Sequence, residues 1–116
     1  MCILIVEDEV LVAHDLALML EDAGEQSIDL AHNLKEAQRL VAAKSYDIGF
    51  LDWTLSRTET AAPVAEHLAK SGARVVLTTG QRVNGDRLER LGALHVPKPY
   101  SANQILHALH ELKNAA

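Results

Sequence analysis

Continuous apolar runs alternate with amphipathic stretches along the whole chain. Two runs, Cys2 to Val6 and Tyr46 to Leu51, are apolar enough to predict buried strands in a sheet that is covered on both faces. Weaker runs predict three more strands, at Ser27 to Ala31, Arg74 to Leu77 and Ala93 to Val96. The pattern therefore predicts five strands, each followed by a segment long enough for a helix.

The segments between the strands have apolar residues at helical spacing. Gly24 is expected to end the first helix, as glycine commonly does. Asn33 with Glu36 predicts the start of the second helix, and Ser101 with Gln104 forms a capping box before the last one. The apolar stripes of the first, second, third and last helices recur at intervals of three or four residues: Val12, Ala13, Leu16, Met19, Leu20 and Ala23; Leu34, Ala37, Leu40 and Val41; Ala61, Val64, Ala65 and Leu68; Ile105, Leu109 and Leu112.

Strands that alternate with helices predict a doubly wound α/β fold. We expect a five-stranded parallel sheet with helices on both faces, in which Asn84 to Leu91 form a short fourth helix. The strand order 2-1-3-4-5 is expected because it places the two most apolar strands, the first and the third, side by side in the centre. A chain of 116 residues is long enough for one domain, and we expect that domain to span 1–116.

The composition narrows the class of protein. No apolar stretch approaches the roughly 18 residues of a membrane span, so no membrane association is predicted. The net charge is −5 and no basic cluster is present, which argues against nucleic-acid binding. A single cysteine, Cys2, excludes an internal disulfide. The first residues also lack the basic start of a signal peptide, so a reducing, cytoplasmic location is expected.

Polar functional groups follow four of the five predicted strands. Glu7 and Asp8 follow the first strand, Asp52 the third, Thr79 the fourth and Lys98 the fifth. The carboxyl ends of parallel strands meet at one edge of the sheet, and ligands bind at that edge in open α/β folds. We therefore expect these five side chains to lie close together.

Three carboxylates at one edge need a positive partner. Two carboxylates about 4 Å apart repel by roughly 4 kcal/mol at an effective dielectric constant of ~20. Mg²⁺ is a hard cation that prefers oxygen ligands and would offset this repulsion. Lys98 adds a positive charge and Thr79 a hydroxyl donor, which together can hold the oxygens of a phosphoryl group on Asp52. The residues alone therefore indicate Mg²⁺-dependent phosphoryl transfer.

The chain resembles the CheY-like receiver domain of two-component response regulators over essentially its whole length. The matching stretches are Ile5 to Glu9, Phe50 to Asp52, Leu77 to Gly80 and Val96 to Pro99. In style it is most similar to the alphaproteobacterial single-domain receivers. The resemblance implies a phosphoacceptor in signal transduction, and not an enzyme that acts on a separate substrate.

The resemblance also assigns a role to each site residue. Asp52 would be the phosphoacceptor, and Mg²⁺ would be bound by Glu7, Asp8, Asp52 and the backbone carbonyl of Thr54. Thr79 would be the switch hydroxyl, and Lys98 would bind the phosphate.

The partners that the resemblance implies are proteins. The phosphoryl donor would be a histidine kinase or a histidine phosphotransfer protein, and a further protein would receive the signal, either by binding or through a phosphorelay. A monomer or a weak dimer is expected.

The sequence departs from the family pattern at three places. The loop Ser56 to Thr60 replaces the usual Pro-Gly turn, and Gly80 stands where most receivers have alanine. His95 stands where most receivers have the tyrosine or phenylalanine of an aromatic switch. Switching in this chain is therefore expected to differ from the aromatic-coupled form.

Three other functions remain open on the residues. A receiver-like docking module that takes no phosphate would have the same fold. An aspartate-based phosphatase would need a second Asp at the position of Thr54 as acid and base. A flavodoxin-like carrier would need a phosphate-binding loop where Glu7, Asp8 and Glu9 stand, and these acids repel phosphate unless a metal intervenes.

Overall fold

The computed structural model describes residues 1–114; residues 115–116 of the predicted domain lie outside the described residues. One parallel sheet contains all the named strands: β1 (Cys2–Val6), β2 (Ser27–Ala31), β3 (Ile48–Leu51), β4 (Arg74–Leu77) and β5 (Leu94–His95). The helices follow the strands in turn: α1 (Val10–Asp22), α2 (Leu34–Ala43), α3 (Ala62–Lys70), α4 (Gly85–Leu91) and α5 (Ala102–Asn114). The strand order is β2-β1-β3-β4-β5, which confirms the predicted fold and the short fourth helix.

The sheet has a hydrophobic core on each face. Successive side chains of a strand point to opposite faces, so Leu4 and Val6 join the core under α2 and α3. Ile3 and Ile5 join the other core, under α1 and α5. All four side chains are fully buried, as expected for the central strand of a covered sheet.

Gly49 in β3 allows α3 to lie close to the sheet. A Cβ atom at this position would lie 2.5 Å from Leu68 Cδ1 of α3, well inside van der Waals contact. A larger residue would push Leu68 aside, and such overpacking typically costs about 1–3 kcal/mol. The absence of a side chain thus sets the distance between α3 and the strand that leads to Asp52.

The predicted caps of two helices are confirmed. Asn33 Oδ1 accepts a hydrogen bond of 2.8 Å from the Glu36 amide at the start of α2. Ser101 and Gln104 exchange the two hydrogen bonds of a capping box before α5. Ala23 was predicted to lie on the apolar face of α1. This prediction is wrong, because α1 ends at Asp22 and Ala23 is exposed.

Two strands are shorter than predicted. β3 begins at Ile48, so Tyr46 and Asp47 lie before the strand. The Tyr46 hydroxyl donates to Asp29 Oδ2, 2.7 Å away. β5 contains only Leu94 and His95. Ala93 follows the left-handed Gly92 that caps α4, and its amide donates to Leu88 O over 2.8 Å.

The helices are short relative to a bilayer. Within residues 1–114, no helix is long and apolar enough to cross a membrane.

Candidate functional site

Backbone hydrogen bonds hold the first residues beyond β1 and β3 in register. The Glu7 amide donates to Ala31 O over 3.0 Å, and the Asp52 amide donates to Val6 O over 2.9 Å. Both residues therefore leave the sheet in fixed directions at its carboxyl edge. The strand pairing, rather than any flexible loop, sets where their carboxylates lie.

Three carboxylates meet at this edge and form what we call the acidic cluster: Glu7, Asp8 and Asp52. One oxygen of each lies within 4.8 Å of the others. Glu7 is only 2% exposed and Asp52 only 7%, whereas Asp8 is exposed. The sheet thus brings together the three acids that the sequence predicted, with two of them shielded from water.

Lys98 provides the positive charge beside the acidic cluster. Its Nζ donates to Asp52 Oδ2 over 3.0 Å and also pairs with Glu7 Oε1. Burial on its own would lower the pKa of Lys98, but the hydrogen bonds with Glu7 and Asp52 outweigh it and raise that pKa. The ammonium therefore stays charged, as the predicted role requires.

Glu7 is the most deeply buried member of the cluster. Burial raises the pKa of its carboxyl to about 7, against the smaller opposing effects of Lys98 and the Glu9 amide. Glu7 Oε1 contacts the ammonium of Lys98 and accepts no further hydrogen bond from the described residues. A buried oxygen with spare lone pairs beside two other carboxylates is the donor set that Mg²⁺ prefers. The residues present fit that ion.

Two threonines flank the cluster. Thr79 is buried, and its Oγ1 accepts a hydrogen bond of 3.3 Å from the Gln81 amide. The hydroxyl of Thr54 donates to Gln81 Oε1 over 3.2 Å. Gln81 thus links the loop after β3 to the loop after β4. The metal-ligand role of the Thr54 carbonyl and the switch role of Thr79 stay predictions.

His95 makes a contact that the sequence did not predict. Its Nε2 lies 3.1 Å from the backbone oxygen of Thr79. The pairing of β4 with β5 could have indicated this contact. In that pairing Leu77, which is two residues before Thr79, lies opposite His95. The departure from the family pattern was visible in the sequence, but its bonding partner was not.

Trp53, next to Asp52, also has an unpredicted partner. The guanidinium of Arg87 on α4 lies over the indole ring, 4.2 Å from its centroid. At this distance the cation and the ring attract each other. The loop after β3 is therefore joined to α4 by a side-chain stack.

The fold and the site define the class of this chain. A doubly wound sheet in the order β2-β1-β3-β4-β5, with an acidic cluster and a lysine at its carboxyl edge, has the CheY-like architecture. The family model for the response regulator receiver domain matches residues 3–110. The chain therefore belongs to that family, the receiver domains of two-component systems.

Individual proteins agree with this assignment. The chain is 30% identical over 110 residues to the transcriptional regulatory protein PdtaR of Mycobacterium tuberculosis. The match covers 92% of this chain and 54% of PdtaR. This chain therefore spans about half the length of that relative. The solution structure of SdrG from Sphingomonas melonis is 30% identical, with a TM-score of 0.81 over 97% of this chain and 95% of SdrG. TrrA of Thermotoga maritima, solved in complex with Mg²⁺–BeF, is 26% identical with a TM-score of 0.80 over 97% and 99%.

Proposed function

We propose that this receiver takes a phosphoryl group onto Asp52 from a histidine kinase or a histidine phosphotransfer protein, in a reaction that needs Mg²⁺. One observation carries the proposal. The shielded carboxylate of Asp52 lies 3.0 Å from Lys98 Nζ and shares a cluster with the oxygens of Glu7 and Asp8. A nucleophile, a cation and a metal-binding pair are the parts that phosphoryl transfer requires.

The nucleophile is a carboxylate oxygen of Asp52. It attacks phosphorus, a P–O bond forms, and the bond from phosphorus to the donor's histidine nitrogen breaks with its electron pair going to the imidazole ring. Mg²⁺, held by Glu7, Asp8, Asp52 and the Thr54 carbonyl, would neutralise charge on the phosphoryl oxygens. The chain's own side chains supply the rest of the site.

Lys98 and Thr79 hold the transferred group. Lys98 Nζ, which pairs with Asp52 in the unmodified site, exchanges that contact for a phosphoryl oxygen. Because Thr79 Oγ1 accepts from the Gln81 amide, its own proton is free to be donated. Reorientation of these two residues changes the surface around α4, β5 and α5, which a downstream partner or the next protein of a phosphorelay then recognises.

Two further observations support the proposal. The similar structure of TrrA was solved in complex with Mg²⁺–BeF, so a receiver of this fold accommodates that group. Thr54 stands two residues after Asp52, and its hydroxyl donates to Gln81. Thr54 has no carboxylate that could act as a general acid or base. This residue disfavours the phosphatase alternative.

The experiment is labelling with a small phosphodonor. The purified chain is incubated with acetyl phosphate and Mg²⁺, and the intact mass is measured. We expect the added mass of one phosphoryl group in the wild type and in the matched control Asp29→Asn, and none in Asp52→Asn or without Mg²⁺. Undiminished labelling of Asp52→Asn would contradict the assignment, and an unlabelled wild type would favour a docking module that takes no phosphate.

A further inference from the structure

His95 on β5 is half-buried and contacts Thr79 in the loop that follows β4. We infer that His95 is a positioning residue for Thr79: its ring N–H holds the Thr79 carbonyl, so that the Thr79 hydroxyl is kept in place to receive a phosphoryl oxygen. The inference rests on the proposed function and goes beyond it, because it replaces the aromatic switch of the family by a hydrogen bond.

The geometry fixes which ring nitrogen carries the proton. His95 Nε2 lies 3.1 Å from Thr79 O. A carbonyl oxygen can only accept a hydrogen bond, so the Nε2 atom must be the donor. The neutral ring is therefore the Nε2–H tautomer. A phenylalanine or tyrosine ring at this position offers no donor at the place of Nε2.

The backbone after Thr79 needs such a restraint. A Cβ atom on Gly80 would lie 3.6 Å from Lys98 O and 3.7 Å from Lys98 Cβ, which are ordinary contact distances. Packing therefore does not require glycine at this position. With glycine there, the peptide after Thr79 has more conformational freedom than an alanine would leave it. The bond from His95 restores the restraint from outside the loop.

His95 also connects Thr79 to a surface groove. Together with residues of α5, among them Gln104, His107 and Glu111, it lines a groove of about 220 Å³ between β5 and α5. The His95 ring therefore lies between the Thr79 carbonyl and the wall of this groove.

The first test reads the tautomer in the unphosphorylated protein. Long-range ¹H–¹⁵N NMR at pH 8 is expected to show the His95 ring with its proton on Nε2. The Thr79→Ala variant should leave the signal in place, because the acceptor is a backbone carbonyl. An Nδ1–H tautomer would overturn the inference. This measurement needs no phosphoryl group and is independent of the proposed function.

The second test separates the hydrogen bond from the bulk of the ring. His95→Phe keeps a ring without a donor and should slow labelling of Asp52 by acetyl phosphate about three- to tenfold, the range for one net hydrogen bond. His95→Gln, which can place an amide N–H where Nε2 lies, should restore most of the rate. His107→Phe is the matched control from the same groove and should label like the wild type.

Thermal unfolding of each variant accompanies the rates, so that a folding defect is recognised. Equal rates in His95→Phe and the wild type, or an equal loss in His95→Phe and His95→Gln, would overturn the inference. A wild type that is never labelled would overturn the proposed function instead, and the tautomer would still test the bond to Thr79.

Discussion

Two lysine–carboxylate groups in this domain look alike and behave differently. In the acidic cluster, Lys98 Nζ lies 3.0 Å from Asp52 Oδ2. Asp29 lies on the edge strand β2, and its Oδ2 is 2.9 Å from Lys44 Nζ. The Tyr46 hydroxyl donates to the same oxygen, and we call these three residues the Asp29 cluster. Each contains an acid with a lysine at hydrogen-bond distance.

The pKa values of the acids move in opposite directions. The hydrogen bond from Tyr46, followed by the one from Lys44, lowers the pKa of Asp29. Burial raises the pKa of Glu7 to about 7, and the carboxylates of Asp8 and Asp52 add to that effect. A lysine alone therefore does not determine the behaviour of an acid. The number of other acids and the access of water determine it.

The two groups differ in how far their negative charge is balanced by groups within the protein. The Asp29 cluster has one acid with two donors, so its ionised form is satisfied without any ligand. The acidic cluster has three acids and one lysine, so its negative charge is not fully balanced and would attract a cation. We therefore expect a metal site to be marked by a surplus of negative charge and not by the presence of an ion pair.

The largest expected effect is that of Mg²⁺ on stability. A ligand that binds only the folded state at a hundred times its Kd raises the free energy of unfolding by about 2.7 kcal/mol. Urea unfolding over a series of Mg²⁺ concentrations should show this gain in the wild type and in Asp29→Asn, and little of it in Asp8→Asn. If Asp8→Asn and Asp29→Asn gained equally, the acidic cluster would not be the metal site.

Removing each of the two lysines should lower the free energy of unfolding by a different amount. Lys98→Ala leaves Glu7 and Asp52 buried without a positive partner, and removing one member of a buried pair is strongly destabilising. Because Lys98 is 21% exposed, we expect a loss of about 2 kcal/mol in Mg²⁺-free urea unfolding. Lys44→Ala, the matched change in the exposed pair, should have a smaller effect. Equal losses would remove the distinction between the two groups.

The smallest of these effects depends on pH. Tyr46→Phe removes the hydroxyl that donates to Asp29 and should cost about 1 kcal/mol at neutral pH. Because the pKa of Asp29 is lowered on folding, its contribution is present above the ordinary aspartate value of about 3.9 and is lost as the pH falls through the lowered value. Urea unfolding from pH 7 to pH 2 should therefore show the two proteins converging in acid. A difference that stays constant across this range would show that ionised Asp29 has no part in it.

The pattern of apolar runs was sufficient to predict the fold. β1 and β3 are the most apolar strands and lie adjacent in the centre, so the sheet order followed from the sequence. The same order brought Glu7, Asp8 and Asp52 together, because each follows one of these two strands and parallel strands end at a common edge. The meeting of Lys98 with this group followed from its place after β5.

Contacts between side chains from distant segments could not be predicted in this way. Hydrophobic periodicity gives the direction in which a residue points, but not the distance to the element that it faces. The close approach of Leu68 to Gly49 and the bond from Tyr46 to Asp29 depend on that distance. The bond from His95 to Thr79 was missed for the same reason.

The stack of Arg87 on Trp53 bears on the fluorescence of the domain. Trp53 is the single tryptophan of the chain and adjoins Asp52, whereas Arg87 comes from α4. Because the fluorescence of an indole is sensitive to a nearby charge, we expect a shift of α4 relative to Trp53 to change the emission even where Asp52 itself does not move. We therefore expect one intrinsic fluorophore to report on two parts of the molecule, the loop after β3 and the helix α4.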